Sequence, residues 1–88
     1  MPYIKQGQRK WIDPPLRDLI KELQPFPEDA LPGVLNYTVT CLMTAFTPAN
    51  YRGYAMAVGV LETIKLELYR RRIAPFEDEK IKRHGDVF

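Results

Sequence analysis

The chain has 88 residues, and its 13 lysines and arginines against 11 aspartates and glutamates give a net charge of +2. This length predicts one domain with a marginal core, and the near-neutral charge argues against bulk electrostatic binding of nucleic acid. Cys41 is the only cysteine and His84 the only histidine, which excludes an internal disulfide and a structural zinc site of the Cys/His kind. Without a disulfide or a structural metal, association with further copies of the chain is the remaining way to stabilise so small a core, so we expect a homo-oligomer.

The N-terminal segment lacks the apolar stretch of a secretory signal, and the longest apolar run of the chain is Tyr54 to Leu61. A run of this length is too short to cross a bilayer. We therefore expect a cytoplasmic protein with no membrane partner.

Residues 1–12 are predicted to form an extended arm, because they mix Pro2 and Gly7 with basic and aromatic side chains. A first helix is predicted to begin at Asp13, a good N-cap residue, with a proline in its first turn. Its apolar residues recur at helical spacing on one face. They are Leu16, Leu19, Ile20 and Leu23. Pro25 is predicted to end this helix.

Residues 25–33 hold three prolines and a glycine and are predicted to form a loop. The segment 34–46 is ambiguous between strand and helix, because it alternates like a strand and is rich in β-branched residues. Thirteen residues are long for a strand, and the sequence offers no second strand to pair with it. We therefore predict a helix here.

A third helix is predicted from Tyr51 or Gly53 to at least Ile73, and its first half is apolar on every side. Such a helix in so small a protein indicates contact with another copy of the chain. The predicted interface comprises Ala55, Met56, Val58, Gly59 and Val60. Gly59 either allows two helix backbones to approach closely or is merely a tolerated helical glycine.

Pro75 is predicted to break or kink the third helix, and a short fourth helix is predicted over 75–84. Acidic residues at 77–79 and basic residues at its end complement the helix dipole. The fold class is therefore all-α, a small bundle of three to four helices that forms a homo-oligomer, with 1–88 as a single helical domain.

Several short motifs of the chain are similar to those of one protein family. They are Met1-Pro2-Tyr3-Ile4, Leu35-Asn36-Tyr37, Gly59-Val60-Leu61-Glu62, Lys65-Leu66-Glu67, Tyr69-Arg70-Arg71, Ala74-Pro75-Phe76-Glu77-Asp78, Lys80-Ile81 and Gly85-Asp86-Val87-Phe88. The chain resembles an uncharacterised family of short phage and prokaryotic proteins of unknown function. The resemblance implies a small cytoplasmic protein, often phage-encoded, and assigns no catalytic residue or cofactor.

The carboxylates do not form a pattern typical of magnesium-dependent nucleotide hydrolysis, which requires several acidic side chains on one face. Glu62 and Glu67 are five residues apart and have basic neighbours at helical spacing. We therefore expect a protein that is not an enzyme and has no metal ligands, although a nucleotide hydrolase remains a less favoured hypothesis.

The preferred hypothesis is a non-enzymatic binding protein that sequesters a phosphorylated, nucleotide-like small molecule, such as a phage counter-defence sponge for immune signals. Arginine presents a planar set of donors that suits phosphate. The predicted ligand-binding residues are Arg70 and Arg71 for phosphate, Tyr69 and Tyr37 for stacking and Asn36 for hydrogen bonding. The arginines could equally satisfy a helix end without any ligand. The alternative function is a protein-interaction module that docks on a host or phage protein.

Overall fold

The computed structural model describes all 88 residues and confirms the all-α prediction, since it contains no strand. The elements in chain order are α1 (Gln6–Leu23), a 3₁₀ turn (Glu28–Ala30), α2 (Leu31–Phe46), α3 (Tyr51–Leu68), a π-helical segment (Tyr69–Ile73, hereafter the π segment) and α4 (Ala74–His84). None of these helices combines the length and hydropathy needed to cross a membrane.

The first helix begins seven residues earlier than the sequence predicts, so the extended arm comprises residues 1–5 and not 1–12. The Gln8 side chain accepts a hydrogen bond of 3.2 Å from the Lys5 backbone N–H, which closes the first turn. Pro14 and Pro15 lie inside α1, where each removes one backbone hydrogen bond. Because α1 is largely exposed along its length, the carbonyls left without partners can bond to water, which lowers the cost of continuing the helix.

The ambiguous segment is a helix, as predicted, and α2 also takes in Pro32 and Gly33, which were predicted to lie in a loop. A proline in the first turn is tolerated because its missing N–H has no intrahelical partner there. Thr38 Oγ1 donates a 2.7 Å hydrogen bond to the Val34 carbonyl one turn back. Back-bonding of this kind lets a β-branched residue satisfy its hydroxyl inside a helix.

The connection between α2 and α3 is a tight turn organised by Asn50 and Gly53. The Asn50 side chain caps α3 by accepting a 2.7 Å hydrogen bond from the Gly53 backbone N–H. Gly53 is buried, and a Cβ atom at this position would lie 2.1 Å from the Pro48 carbonyl oxygen. Only glycine fits this close approach of two backbones.

Pro75 does not break the chain of helices, because α3, the π segment and α4 follow without a gap, but the π segment interrupts the regular α-helix directly before it. Pro75 cannot donate the hydrogen bond that an α-helix would direct to the Arg71 carbonyl. The π segment accommodates this deficit, and the Ala74 N–H donates to the Tyr69 carbonyl five residues earlier. The predicted fourth helix is confirmed to within one residue, and it ends at Gly85 with φ +90°.

A single chain has no hydrophobic core, so the bundle predicted from the sequence does not form within one copy. Gly53 is the only buried residue. The chain exposes 8277 Å², whereas a folded monomer of 10.3 kDa exposes about 5,400 Å² by the usual scaling with mass. Its radius of gyration is 16.7 Å, against about 12 Å for a compact domain of this length.

The apolar faces inferred from the periodicity exist, but no part of the same chain buries them. On α1, Leu16 and Ile20 are 45% and 49% exposed. On α3, Met56 and Val58 are 43% and 68% exposed. The helices are joined through their connecting turns and are not closely packed side by side. The apolar residues of α2 and α3 that face each other therefore leave an open space between the two helices.

Candidate anion-binding site

The N-terminal arm crosses the C-terminal end of α3 and is held there by Tyr3. The Tyr3 hydroxyl donates a 2.9 Å hydrogen bond to Glu67 Oε1. It also accepts a hydrogen bond of 3.4 Å from Arg71 Nη1. Arg70 donates to the same Glu67 oxygen and forms an ion pair with it. Glu67 thus joins the arm to the last turn of α3 and the π segment.

The arm is also tied to α1, because Arg9 Nε donates a 3.0 Å hydrogen bond to the Ile4 carbonyl. This contact holds Ile4 against the first turns of α1. The arm therefore bridges two helices that are distant in the sequence, and Tyr3 lies at the end of the bridge that reaches α3.

The Glu67 carboxylate is stabilised in its charged form, because the hydrogen bond from Arg70 and then that from Tyr3 hold its pKa below the ordinary value. The positive charges of Arg70 and Arg71 act in the same direction. The hydrogen bond to Glu67 in turn raises the pKa of Arg70. Since the Glu67 side chain is only 17% exposed, its charge is largely satisfied within the cluster.

An open depression of about 480 Å³ lies beside the arm, and we refer to it as the arm cavity. Its lining residues are Pro2, Tyr3, Ile64, Glu67, Leu68, Arg71 and Arg72. Two guanidinium groups and one aromatic ring face an apolar floor. The single carboxylate is already paired with Arg70, so the lining keeps an excess of positive charge. This volume lies in the range of small-molecule sites.

A second concave surface, the α2–α3 groove, lies between the two helices that the tight turn connects. It has a volume of about 530 Å³ and no charged side chain in its lining. Six of its residues are Val39, Thr40, Met43, Thr44, Ala57 and Leu61. Its chemistry therefore differs from that of the arm cavity.

No group of three or more histidine, cysteine, aspartate or glutamate side chains is placed to hold a metal ion. The acidic residues of α4 are consecutive at 77–79, so their side chains point in different directions around the helix, and Glu79 forms an ion pair of 3.5 Å with Lys82. Cys41 is a free, exposed thiol.

A family model described as a domain of unknown function (DUF6899) matches residues 1–87. The chain belongs to this family. Membership confirms the resemblance to an uncharacterised family, while an origin in phages or prokaryotes stays a prediction. No curated protein and no solved structure matches the chain.

The match to the domain of unknown function includes every residue of the arm cavity. It also includes the whole α2–α3 groove. Both concave surfaces are therefore parts of the family domain itself.

The predicted ligand-binding residues lie in several different places. Arg71 lines the arm cavity, whereas Arg70 is paired with Glu67. Tyr69 lines a depression beside the C-terminal residues. Asn36 lies in the α2–α3 groove, which has no arginine.

Tyr37 lies on α2 and is 73% exposed. The nearby Cys41 side chain, one turn further along the helix, raises the pKa of Tyr37. Tyr37 lines neither the arm cavity nor the α2–α3 groove. It is therefore not placed to stack beside Arg71.

Sequence reasoning missed Tyr3 and Arg72 as members of the cavity. Tyr3 belongs to an arm without periodicity, and no spacing rule relates it to a residue 64 positions away. Arg72 is not among the predicted ligand-binding residues, because the acidic residues at 77–79 can account for an arginine at this helix end without a ligand. The one available signal was the placement of an aromatic residue in a basic N-terminal segment.

Proposed function

We propose that the protein is a non-enzymatic binding protein that holds a phosphorylated, nucleotide-like small molecule in the arm cavity and thereby sequesters it. The observation that carries the proposal is that Arg71 and Arg72 line the same cavity as the Tyr3 ring. Arg70 is paired with the only carboxylate of that cavity. Arg72 and the donors of Arg71 that do not contact the Tyr3 hydroxyl are therefore available to an anion.

The π segment supports the pairing of two consecutive arginines on one ligand. Consecutive side chains on an α-helix diverge by about 100°, and the wider π turn reduces this angle because it holds more residues per turn. Arg71 and Arg72 both lie in the π segment. In the proposal they bind phosphate as bidentate donors, and this replaces the pair Arg70 and Arg71 favoured by the sequence.

The remaining lining residues suit the rest of a nucleotide. The Tyr3 ring offers a surface on which a base can stack, and Ile64 and Leu68 provide an apolar floor. Tyr3 thus takes the role that the sequence assigned to Tyr37 and Tyr69. In the cell, this binding would sequester a nucleotide immune signal, as a phage counter-defence sponge does.

Isothermal titration calorimetry against cyclic dinucleotides and ADP-ribose derivatives tests this function. We expect at least one compound to bind, and Arg71→Gln and Arg72→Gln each to weaken it by about 10-fold or more, since each removes a charge-assisted hydrogen bond. Arg83→Gln is the matched control, because Arg83 lies at the end of α4 and outside the cavity. The absence of heat with every compound would contradict the proposal.

A second candidate function is a protein-interaction module that docks on a host or phage protein. The extensive exposure of large apolar side chains favours it. This candidate predicts one stoichiometric protein partner in a pull-down, lost on deletion of arm residues 1–5. It also predicts unchanged partner binding in Arg72→Gln, which separates it from the ligand-binding proposal.

A further inference from the structure

We infer that a second copy of this chain docks in the α2–α3 groove, with the apolar stripe of its α1 seated between the two helices. The arrangement is reciprocal, so each copy fills the groove of the other and the pair has two-fold symmetry. The inference does not rest on the ligand of the arm cavity.

The chain exposes more surface than a compact monomer, and this excess is about as large as the area that a stable dimer would bury. The surface of 8277 Å² exceeds that of a compact monomer of this mass by about 2,900 Å². Burial of this excess by each of two copies gives an interface of the size found in obligate homodimers, which bury about 2,000–5,000 Å² or more in total. A weak or transient contact would leave most of the excess exposed.

The chemistry of the groove suits a helix and not a charged ligand. Val39, Met43 and Leu61 supply apolar surface, and no charged side chain lines the groove. Thr40 and Ala57 are small, which allows a docked helix to approach closely. The polar residues of the lining are uncharged, so a helix with an apolar stripe can dock here without removing a charge from water. They are Asn36, Thr40, Thr44 and Thr47.

Helix α1 has the complementary face. Leu16, Leu19 and Ile20 form one exposed stripe, and Arg17 and Asp13 on the same helix form an exposed ion pair of 3.9 Å. Eighteen residues span about 27 Å, enough to run along the groove. Ile20 shares a shallow depression with Leu31 and Leu35 of α2. Leu16, Leu19 and Ile20 nevertheless stay 39–49% exposed, so the stripe remains available to the partner.

This assignment differs from the interface predicted from the sequence. Gly59 lies two residues from both Ala57 and Leu61, which places it about 200° around α3 from the groove. Nothing in the same chain lies within 4 Å of a Cβ built on Gly59. The second copy is therefore placed on the Ala57 and Leu61 side of α3.

Multi-angle light scattering and thermal denaturation of the full chain give the first test. We expect the mass of a dimer and a melting temperature that rises by roughly 5–10 °C over a 100-fold increase in concentration, since association and folding are coupled. A monomer with full helicity and a melting temperature independent of concentration would overturn the inference.

A pair of matched substitutions then tests the groove. Ala57→Glu places a charge in the apolar lining, and we expect the dimer dissociation constant to rise by at least about 10-fold. Ala45→Glu makes the same change on the side of α2 away from the groove, where residue 45 is about 180° from Asn36, and should leave the constant within about 2-fold. Equal effects of both changes would overturn the inference.

If Ala57→Glu fails to fold, a measurement on the unaltered chain tests whether α1 of one copy lies in the α2–α3 groove of the other. In a mixture of ¹³C-labelled and unlabelled chains, isotope-filtered NMR detects only contacts between copies. We expect intermolecular NOEs between the methyl groups of Leu19 or Ile20 and that of Leu61. A dimer that lacks these NOEs, or in which the Leu61 methyl contacts only other segments, would overturn the placement of α1.

Discussion

The Tyr3 hydroxyl donates a 2.9 Å hydrogen bond to Glu67 Oε1 and joins residues 64 positions apart in the chain. Together with the contact from Arg71 to the same hydroxyl, it fixes the arm across the end of α3. The arm cavity owes one of its walls to this contact, because Pro2 and Tyr3 form its outer side.

Removal of the Tyr3 hydroxyl should release the arm while leaving the helices intact. In Tyr3→Phe we expect faster motion of residues 3–5, because the phenyl ring cannot donate to Glu67. The ¹H–¹⁵N heteronuclear NOE at Ile4 should fall, with unchanged far-UV circular dichroism. Tyr51→Phe is the control, since Tyr51 is 91% exposed and should have no effect. An unchanged NOE in Tyr3→Phe would contradict the role of this hydrogen bond.

The attachment of the arm should depend on pH through Glu67. Its hydrogen bonds with Arg70 and Tyr3 lower the pKa of the folded state, so the stabilisation is fully present above the ordinary carboxyl pKa of about 4.3. It is lost as the pH falls below that value and through the lowered pKa of Glu67. We expect the Ile4 heteronuclear NOE to fall on acidification in this window.

Glu67→Gln supplies the control for the pH dependence. Glutamine keeps a side-chain carbonyl that can accept from Tyr3 but does not titrate. The NOE at Ile4 should therefore become insensitive to pH in the same range. If Glu67→Gln retains the full pH dependence, another group controls the arm.

The tight turn between α2 and α3 should tolerate no side chain at Gly53. Gly53→Ala places a Cβ against the Pro48 carbonyl oxygen, and we expect a loss of about 1–3 kcal/mol in the free energy of unfolding, as for other overpacked sites. Urea denaturation measures this loss.

The matched change Gly59→Ala should instead stabilise the protein by up to about 1 kcal/mol, because alanine favours the helix and nothing lies within 4 Å of the added Cβ. A loss of stability in Gly59→Ala would indicate a close contact between copies on that side of α3. That result would favour the interface predicted from the sequence over the groove.

The π segment should be required for binding more than for stability. Pro75→Ala restores an N–H that can bond to the Arg71 carbonyl and so favours regular α-helix over the π turn. We expect no loss of stability but a reduction in ligand affinity of about 10-fold, because Arg72 would rotate away from the cavity. Pro14→Ala, inside α1, should leave the affinity unchanged. Undiminished affinity in Pro75→Ala would contradict the role of the π turn.

The sequence predicted the helical elements well where local periodicity and length decide them, as in α2 and α4. It was wrong about Pro14, which lies inside α1 and not at its start, and it did not foresee that the helix before Pro75 widens into a π turn instead of ending. Both outcomes depend on the surroundings of the helix and not on the residue alone.

The candidate site was predictable only in part. Arg71 could be proposed from its place in a basic run, but Tyr3 joins the site through a contact between distant parts of the chain. Periodicity reports neighbours within a helix and gives no information about such contacts. For the same reason the sequence revealed apolar faces such as that of Leu16 and Ile20, but not that they remain uncovered in one chain.

The central claim is that Arg71 and Arg72 hold a phosphorylated small molecule, and mass spectrometry of compounds released from natively purified protein tests it most directly. We expect a phosphorylated, nucleotide-like compound with the unaltered chain and with Arg83→Gln. We expect this compound to be lost with Arg71→Gln and Arg72→Gln. Release of the same compound in equal amount from all four proteins, or of no phosphorylated compound together with no heat in calorimetry, would contradict it.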